Sequence, residues 1–487
     1  MRTFQSVAIL FAATFGVPSV LAAQTQCDTP VARYDVRYAG NDLFDVTAHF
    51  AEPSKQWDLA HFPTPDRSEA QSASVRSLKV SSADGQEIPV SYVGDGTFKT
   101  DGGRGATSLQ YQLLADHDLA DWNAAGGPGK DEVATKFDRS YVFAGHAFFL
   151  LDYDMKRCPV EVYFDLPDGW KVTTPWRKVG DHYVIDDSWG LGQNMFAMGQ
   201  DTAQVVEVGG LKLTWLMDSK LDPVRDEVRE ILSVLPDRYS RLWGEAPGSN
   251  FSVFFMASDM SDGGAFWNSF ALRYAVPLSE ADKISWRHTL GHEVMHLWNK
   301  LGKKNGENVP ELEWVNEGFT DYLTVKGMAQ AGLLPPEMVE QRVANIIRRY
   351  VLAGRLTPDV PLRSAGAEKS ANWNAVYGGG AMVALMLDAE LSRDDPEAFG
   401  RLLRMMRAEQ GEGYDYDRFV ETLNRETDGR AGDIIAWIDS RPSGGDIVKR
   451  FRALGLDVSI FGYDEAYVRF KECDTGRCPP GFLAVQS

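Results

Sequence analysis

Residues 222–235 read Asp-Pro-Val-Arg-Asp-Glu-Val-Arg-Glu-Ile-Leu-Ser-Val-Leu, and the spacing of the apolar residues changes there. Val224, Val228, Ile231, Leu232 and Leu235 form one stripe of a helix that Asp222 caps and Pro223 starts. Upstream, from Ala32 to about Trp215, apolar residues recur mostly at every second position: Tyr34, Val36 and Tyr38; Phe44 and Val46; Leu109, Tyr111 and Leu113; Val160, Val162 and Phe164. That period predicts half-buried strands, with turns at Asp84-Gly85, Asp101-Gly102-Gly103, Gly126-Gly127-Pro128-Gly129 and Pro167-Asp168-Gly169. An antiparallel β-sandwich or saddle is expected. Downstream, a strand over Phe251 to Ala257 and another through Phe270-Ala271-Leu272 precede a further helix, which gives a mixed α/β region. From Pro335-Pro336 to about residue 465 the pattern is helical, at Val339 to Leu352, Ala381 to Leu391, Phe399 to Met406, Phe419 to Leu423 and Ile434 to Ile438. The chain is therefore read as an α+β multidomain protein: an N-terminal antiparallel β domain over 24–208, an α/β domain over 209–330, a helical domain over 331–465 and a tail over 466–487.

At 487 residues the chain exceeds the size at which one core keeps growing, and a hydrophobic content of 44% with 13 Trp, 17 Tyr and 25 Phe is that of a folded protein. Met1-Arg2, the apolar run from Val7 to Leu21 and the small pair Ala22-Ala23 have the layout of a secretory signal peptide over 1–23. The run is broken by Gly16, Pro18 and Ser19 and is too short for a spanning helix, so no membrane insertion is expected after cleavage. The protein is expected to be secreted or periplasmic. Cys27, Cys158, Cys473 and Cys478 all lie beyond the signal, where an even count suggests two disulfides among three possible pairings. Cys473 and Cys478 enclose only Asp-Thr-Gly-Arg, which favours a local bridge and leaves Cys27 for Cys158. A net charge of -19 repels nucleic acid and anionic membranes, so neither is an expected partner.

Residues 292–296 read His-Glu-Val-Met-His. On a helix, His292 and His296 are four apart and share a face, so both imidazoles can reach one ion, with Glu293 turned aside toward a metal-bound water. Leu290, Val294, Leu297 and Leu301 form a separate stripe roughly opposite the histidines, which predicts a helix packed on one side and polar on the other. Glu317 follows in Trp314-Val315-Asn316-Glu317-Gly318-Phe319-Thr320-Asp321-Tyr322, at a distance that lets a second helix cross the first. As third ligand it completes a set suited to one Zn2+ with the fourth position open. Asp321 lies one turn beyond Glu317 and is expected to accept the free ring N–H of His292.

These segments resemble the glycyl aminopeptidase family of the gluzincin zinc metallopeptidases. The likeness rests on His292-Glu293-Val294-Met295-His296-Leu297-Trp298-Asn299, on Trp314 through Tyr322, and on Tyr377-Gly378-Gly379-Gly380 before Ala381 through Asp388. The resemblance implies a β domain, a thermolysin-like α/β catalytic domain and helices, in that order. It also implies that Glu293 is the general base and that Tyr377 donates a hydrogen bond to the tetrahedral oxyanion. The family's glycine-rich edge strand carries a glutamate suited to holding a free N-terminal amine, but here Gly263-Gly264 lead into Ala265-Phe266-Trp267-Asn268-Ser269, without a carboxylate. Gly263 and Gly264 are expected to let a substrate backbone approach, and Phe266 or Trp267 to offer apolar contact. Family members often carry a PDZ domain, for which the short tail leaves no room. The expected function is that of an exported zinc metallopeptidase acting on peptide or protein substrates, aminopeptidase-like. The alternatives are an endopeptidase with the same site, favoured by Phe266-Trp267, and a non-catalytic zinc-containing peptide-binding protein, against which Glu293 and Tyr377 speak.

Overall fold

The structure, a computed structural model, describes residues 27, 29–63, 68–115, 135–137, 139–152, 154–244, 249–258, 262–278, 280–304, 307–393, 395–410, 414–440, 444–462, 465–474 and 476–484. The signal-peptide stretch 1–23 and the expected turn at Gly126-Gly127-Pro128-Gly129 lie outside the described residues. The chain packs as two units that interleave in sequence. The first takes the described residues of 1–207, 211–227 and 249–286, and the second takes those of 208–210, 228–248 and 287–487.

In the first unit an eight-stranded sheet runs, in spatial order, Arg177–Val179, His182–Ile185, Val160–Asp165, Ala32–Gly40, Leu43–Ser54, Ala106–Leu114, Val75–Ser81 and Glu87–Ile88. The period-two residues face inward as expected: Tyr34, Val36, Phe44, Val46, Leu109, Tyr111 and Leu113 are all buried. A four-stranded sheet, Lys171–Thr173, Met195–Gly199, Ser140–Ala144 and Thr135–Phe137, shares that core through Tyr141, Phe143, Phe196 and Met198. The rings of Tyr141, Phe143 and Phe148 surround Phe44 at 5.3 to 5.7 Å between centroids. The pairing is antiparallel-rich, with one correction: Ala32–Gly40 runs parallel to Val160–Asp165, with Ala32 opposite Val160. Parallel pairing brings both strand starts to one end, and Cys27 and Cys158, a few residues upstream of each, form a disulfide there.

The same unit holds a five-stranded sheet in the order Gln204–Val208, Leu211–Met217, Ser249–Ser258, Ser269–Ala275 and Asp262–Ala265. Its middle strands pair in parallel and bury Leu213, Trp215, Val253, Phe254, Phe255 and Leu272. Asp262–Ala265 is an edge strand, antiparallel to Ser269–Ala275.

The second unit is mainly helical. Its helices include α1 (Arg225–Trp243), most of which belongs to it, α2 (Glu280–Met295), whose last turns do, α3 (Thr320–Gln330), α4 (Pro336–Leu356) and α5 (Gly380–Leu391). Helices over Ala398–Ala408, Tyr416–Glu426, Gly432–Asp439 and Gly444–Ala453 follow. The stripe of α1, with Val228, Ile231, Leu232 and Leu235, is buried as predicted. Its start differs. A 3-10 turn over Ser219–Val224 comes first, capped by Asp218, whose carboxylate accepts from Lys220 N at 2.9 Å, and Asp222 instead accepts from Arg225 Nε at 2.7 Å. The helical stretch begins at Ser219, ahead of Asp222, so its first free N–H groups are met by Asp218, and Pro223, which has no N–H, falls inside it.

Two of these helices are entered through π turns, Val315–Phe319 before α3 and Ala375–Gly379 before α5. The turns touch through backbone: a Cβ on Gly318 would lie 2.4 Å from Gly380 Cα, and a Cβ on Gly380 would lie 1.9 Å from Trp314 O. Fully buried Asp388 of α5 accepts from Tyr322 Oη and Lys326 Nζ of α3 and from Ser392 Oγ. The unit ends in two hairpins, Asp457–Phe461 with Glu465–Arg469 and Lys471–Cys473 with Gly476–Cys478. The second is closed by the Cys473–Cys478 disulfide.

Candidate metal centre

His292 lies in the last turn of α2, and His296 follows just past its end, its N–H donating to His292 O at 3.2 Å. The π turn before α3 brings up Glu317. Nε2 of His292 lies 3.1 Å from Nε2 of His296 and 3.2 Å from Oε2 of Glu317, and Nε2 of His296 lies 3.3 Å from the same oxygen. Three donors of a four-coordinate zinc with bonds of about 2.0–2.1 Å must stand about 3.3–3.4 Å apart, and these three nearly do. The set therefore fits a zinc ion on its own geometry, with lone pairs that would otherwise face one another.

The surroundings fix each donor. Nδ1 of His292 donates to Oδ1 of Asp321 at 3.1 Å, which leaves its Nε2 for the metal. Asp321 also accepts from Nε2 of His288 at 2.7 Å and from Arg349 Nη1 at 3.0 Å, and these cationic and N–H partners hold it ionised against its burial. Burial opposes charge on His292, yet Asp321 and Glu317 outweigh it and push its pKa up to about 10, while burial pushes His296 down to about 4 and His288 down to about 3. Glu317 Oε1, the oxygen away from the histidines, lies 2.6 Å from Lys369 Nζ and 3.2 Å from Asn316 Nδ2. Burial works against the Lys369 ammonium, but Glu317 and Glu313 reverse that and raise its pKa above the usual lysine value.

Glu293 follows His292 directly. Its Oε1 is buried and makes no hydrogen bond among the described residues. Burial raises its pKa to about 7, with the Glu317 charge acting in the same direction and His292 opposing. Tyr377 sits in the second π turn, stacked on Trp373 at 4.0 Å between centroids and lying 5.9 Å from the His292 ring. Its Oη is buried, and burial together with the nearby Glu317 carboxylate holds the phenol well above the usual tyrosine pKa. A buried phenol and a buried carboxylate oxygen thus stand beside the donor triad.

Residues 34–191 match the Peptidase M61 N-terminal domain. That stretch covers most of the eight-stranded and four-stranded sheets of the first unit. A crystal structure of an aminopeptidase N family protein from Idiomarina loihiensis is similar in fold, with a TM-score of 0.68 at 18% identity over 91% of this chain and 80% of that one. No curated protein matches. The M61 match is a likeness over residues 34–191 and the structural match a likeness of fold.

Outside residues 34–191, the second unit brings His292, Glu293, His296, Glu317, Asp321 and Tyr377 together. Gly263, Gly264, Phe266 and Trp267 belong to the first unit. The two glycines are on the edge strand, Phe266 packs beside Ala60, Ala144 and Ala147, and Trp267 is 46% exposed with the Arg157 guanidinium 5.4 Å over its ring. Three contributors escaped the sequence reading. His288 is one helical turn before His292 and so was visible in the spacing. Asn299 was quoted only as part of a motif, although its buried Nδ2 reaches Val315 O, Asn316 O and Thr320 Oγ1 at 2.9 to 3.1 Å. Lys369 is 52 residues from Glu317 and gave no local signal.

Proposed function

We propose that the protein is an exported zinc metallopeptidase that hydrolyses peptide bonds, with an aminopeptidase-like architecture. The observation that carries this reading is the donor triad of His292, His296 and Glu317, spaced 3.1 to 3.3 Å apart beside the unpaired Oε1 of Glu293. Zinc held by these three residues would supply Lewis-acid polarisation of a carbonyl and make water a nucleophile near neutral pH. Glu293 takes the proton from the attacking water and returns it to the leaving amine, work suited to a carboxylate whose pKa burial has lifted toward neutrality. Tyr377 directs its Oη–H at the oxyanion. Asp321 accepts the Nδ1–H of His292, so the proton that the ring gives up on binding a metal is the one on Nε2. The edge strand through Gly263 and Gly264 offers backbone groups for an added substrate strand, with Phe266 and Trp267 as apolar contacts.

Export is part of the proposal, as is the division at residues 23, 208, 330 and 465. It is supported by two disulfides, and among the described residues no helix is long and apolar enough to cross a membrane. Endopeptidase action at the same site is the second reading, favoured by the absence of a carboxylate from Gly263 to Ser269. Metal analysis of the purified protein, followed by digestion of a mixed peptide library, tests the proposal. About one zinc per chain and cleaved peptides are expected; a zinc-loaded protein that cuts nothing would leave a peptide-binding protein in its place.

A further inference from the structure

Glu317 divides its carboxylate oxygens between different neighbours. Oε2 faces the Nε2 atoms of His292 and His296, and Oε1 is taken by Lys369 Nζ at 2.6 Å and Asn316 Nδ2 at 3.2 Å. Lys369 is itself held twice, because its Nζ lies 2.7 Å from Oε1 of Glu313, a residue one turn before Glu317 and only 3% exposed. The lysine therefore bridges the approach to the π turn and its middle. The backbone that presents it is seated flush on the same segment: a Cβ on Gly366 would lie 2.1 Å from Pro310 O and 2.5 Å from Cβ of Glu313. Only glycine permits that approach, and Lys369 follows three residues later.

We propose that Lys369 is a positioning residue for Glu317: by occupying Oε1 it leaves Oε2 as the single oxygen offered to the metal. The inference rests on the zinc-site reading above. A carboxylate can hold a metal through one oxygen or through both. Binding through both would add a fifth donor beside the water and crowd the position that a catalytic zinc site must keep open. The side chain of Lys369 is 26% exposed against 7% for Glu317, so solvent screens its charge, and what it contributes is the direction in which Glu317 points. Asn316, the other partner of Oε1, is adjacent to Glu317 in the chain and moves with it, whereas Lys369 arrives from a separate segment.

Cobalt(II) substitution reads this directly, since four-coordinate cobalt absorbs strongly in the visible and more highly coordinated cobalt weakly. Lys369→Met is expected to bind a full equivalent of cobalt with weakened, blue-shifted visible bands, and at full zinc occupancy its kcat should fall by roughly 10- to 100-fold. Lys369→Arg should keep the wild-type spectrum. If the methionine variant does not fold, Lys369→Cys replaces it: the native cysteines are all paired, so the new thiol can be aminoethylated alone, and the spectrum should weaken in the thiol form and recover on restoring the ammonium. A wild-type spectrum and turnover in Lys369→Met, or in unmodified Lys369→Cys, would overturn the proposal. A wild-type protein that takes up no cobalt or zinc would instead overturn the metal site itself.

Discussion

Asn299 closes the His292 to Asn299 segment, and its value lies in backbone accounting. A π turn displaces carbonyls from their usual helical partners, and a buried carbonyl without a partner is costly. The Asn299 amide meets the carbonyls of Val315 and Asn316, so the residue just past the second histidine also pins the turn that carries Glu317. Asn299→Ala is expected to lower stability by about 1–3 kcal/mol, the cost of leaving buried polar groups unpaired, and to loosen zinc. Denaturant unfolding with and without chelator checks this; equal stability in both states would detach Asn299 from the site. Glu293 tests the chemistry separately, because the proposal gives it no ligand role. Glu293→Gln should retain zinc after dialysis and lose nearly all peptidase activity, and appreciable turnover in that variant would remove the general-base assignment.

At the scale of elements, the two π turns are the feature that periodicity could not disclose. Each adds a residue to a turn and rotates the side chains beyond it, so neither Glu317 nor Tyr377 is placed by the regular 3.6-residue stripe. The glycines announced them indirectly. Gly378-Gly379-Gly380 was recognised as part of a family likeness, and its physical reason is the contact of Gly380 with Trp314 O and Gly318. Gly380→Ala must part the two turns, at an expected cost of about 1–3 kcal/mol, and zinc affinity should fall with it. Calorimetry and competition against a fluorescent chelator measure the two effects; an alanine variant with unchanged affinity would show that the turns do not set the Glu317 position. Much else was legible. The period-two strands of the first unit and the stripes of α1, α4 and α5 were read from spacing alone, because each buries one face or is buried throughout. The Asp457–Phe461 hairpin was missed because each strand has only five residues and Phe461 and Tyr467 interrupt the alternation of Val458 with Ile460 and of Ala466 with Val468. The parallel partnership of Ala32–Gly40 was not readable, since a period states which side a residue faces and not which strand lies beside it.

For the molecule as a whole, the ligand triad is compact in space but drawn from two segments of the second unit, and the expected peptide-binding strand belongs to the first. If that strand binds substrate as proposed, specificity follows from what it lacks. An N-terminal ammonium needs a carboxylate or several acceptors, and Gly263 to Ser269 offers only Asn268 and Ser269 as polar side chains. Acetylating a good substrate should therefore lower kcat/KM by less than the roughly 10- to 100-fold that losing a charge-assisted contact of about 1.5–3 kcal/mol would produce. Inert acetylated peptides alongside free ones cut one residue at a time would instead place the amine on another acidic residue.

The last hairpin also has a consequence for the order of synthesis. Glu340, 4% exposed near the start of α4, accepts from Phe470 N at 2.5 Å and from Arg477, partners 130 and 137 residues further along. A ribosome delivering the chain from its N-terminus releases Glu340 long before either partner exists. The same helix, α4, also carries Arg349 to Asp321. The second unit thus closes around Glu340 only with residues from the last part of the chain, so a chain truncated before Phe470 would lack both partners of that carboxylate.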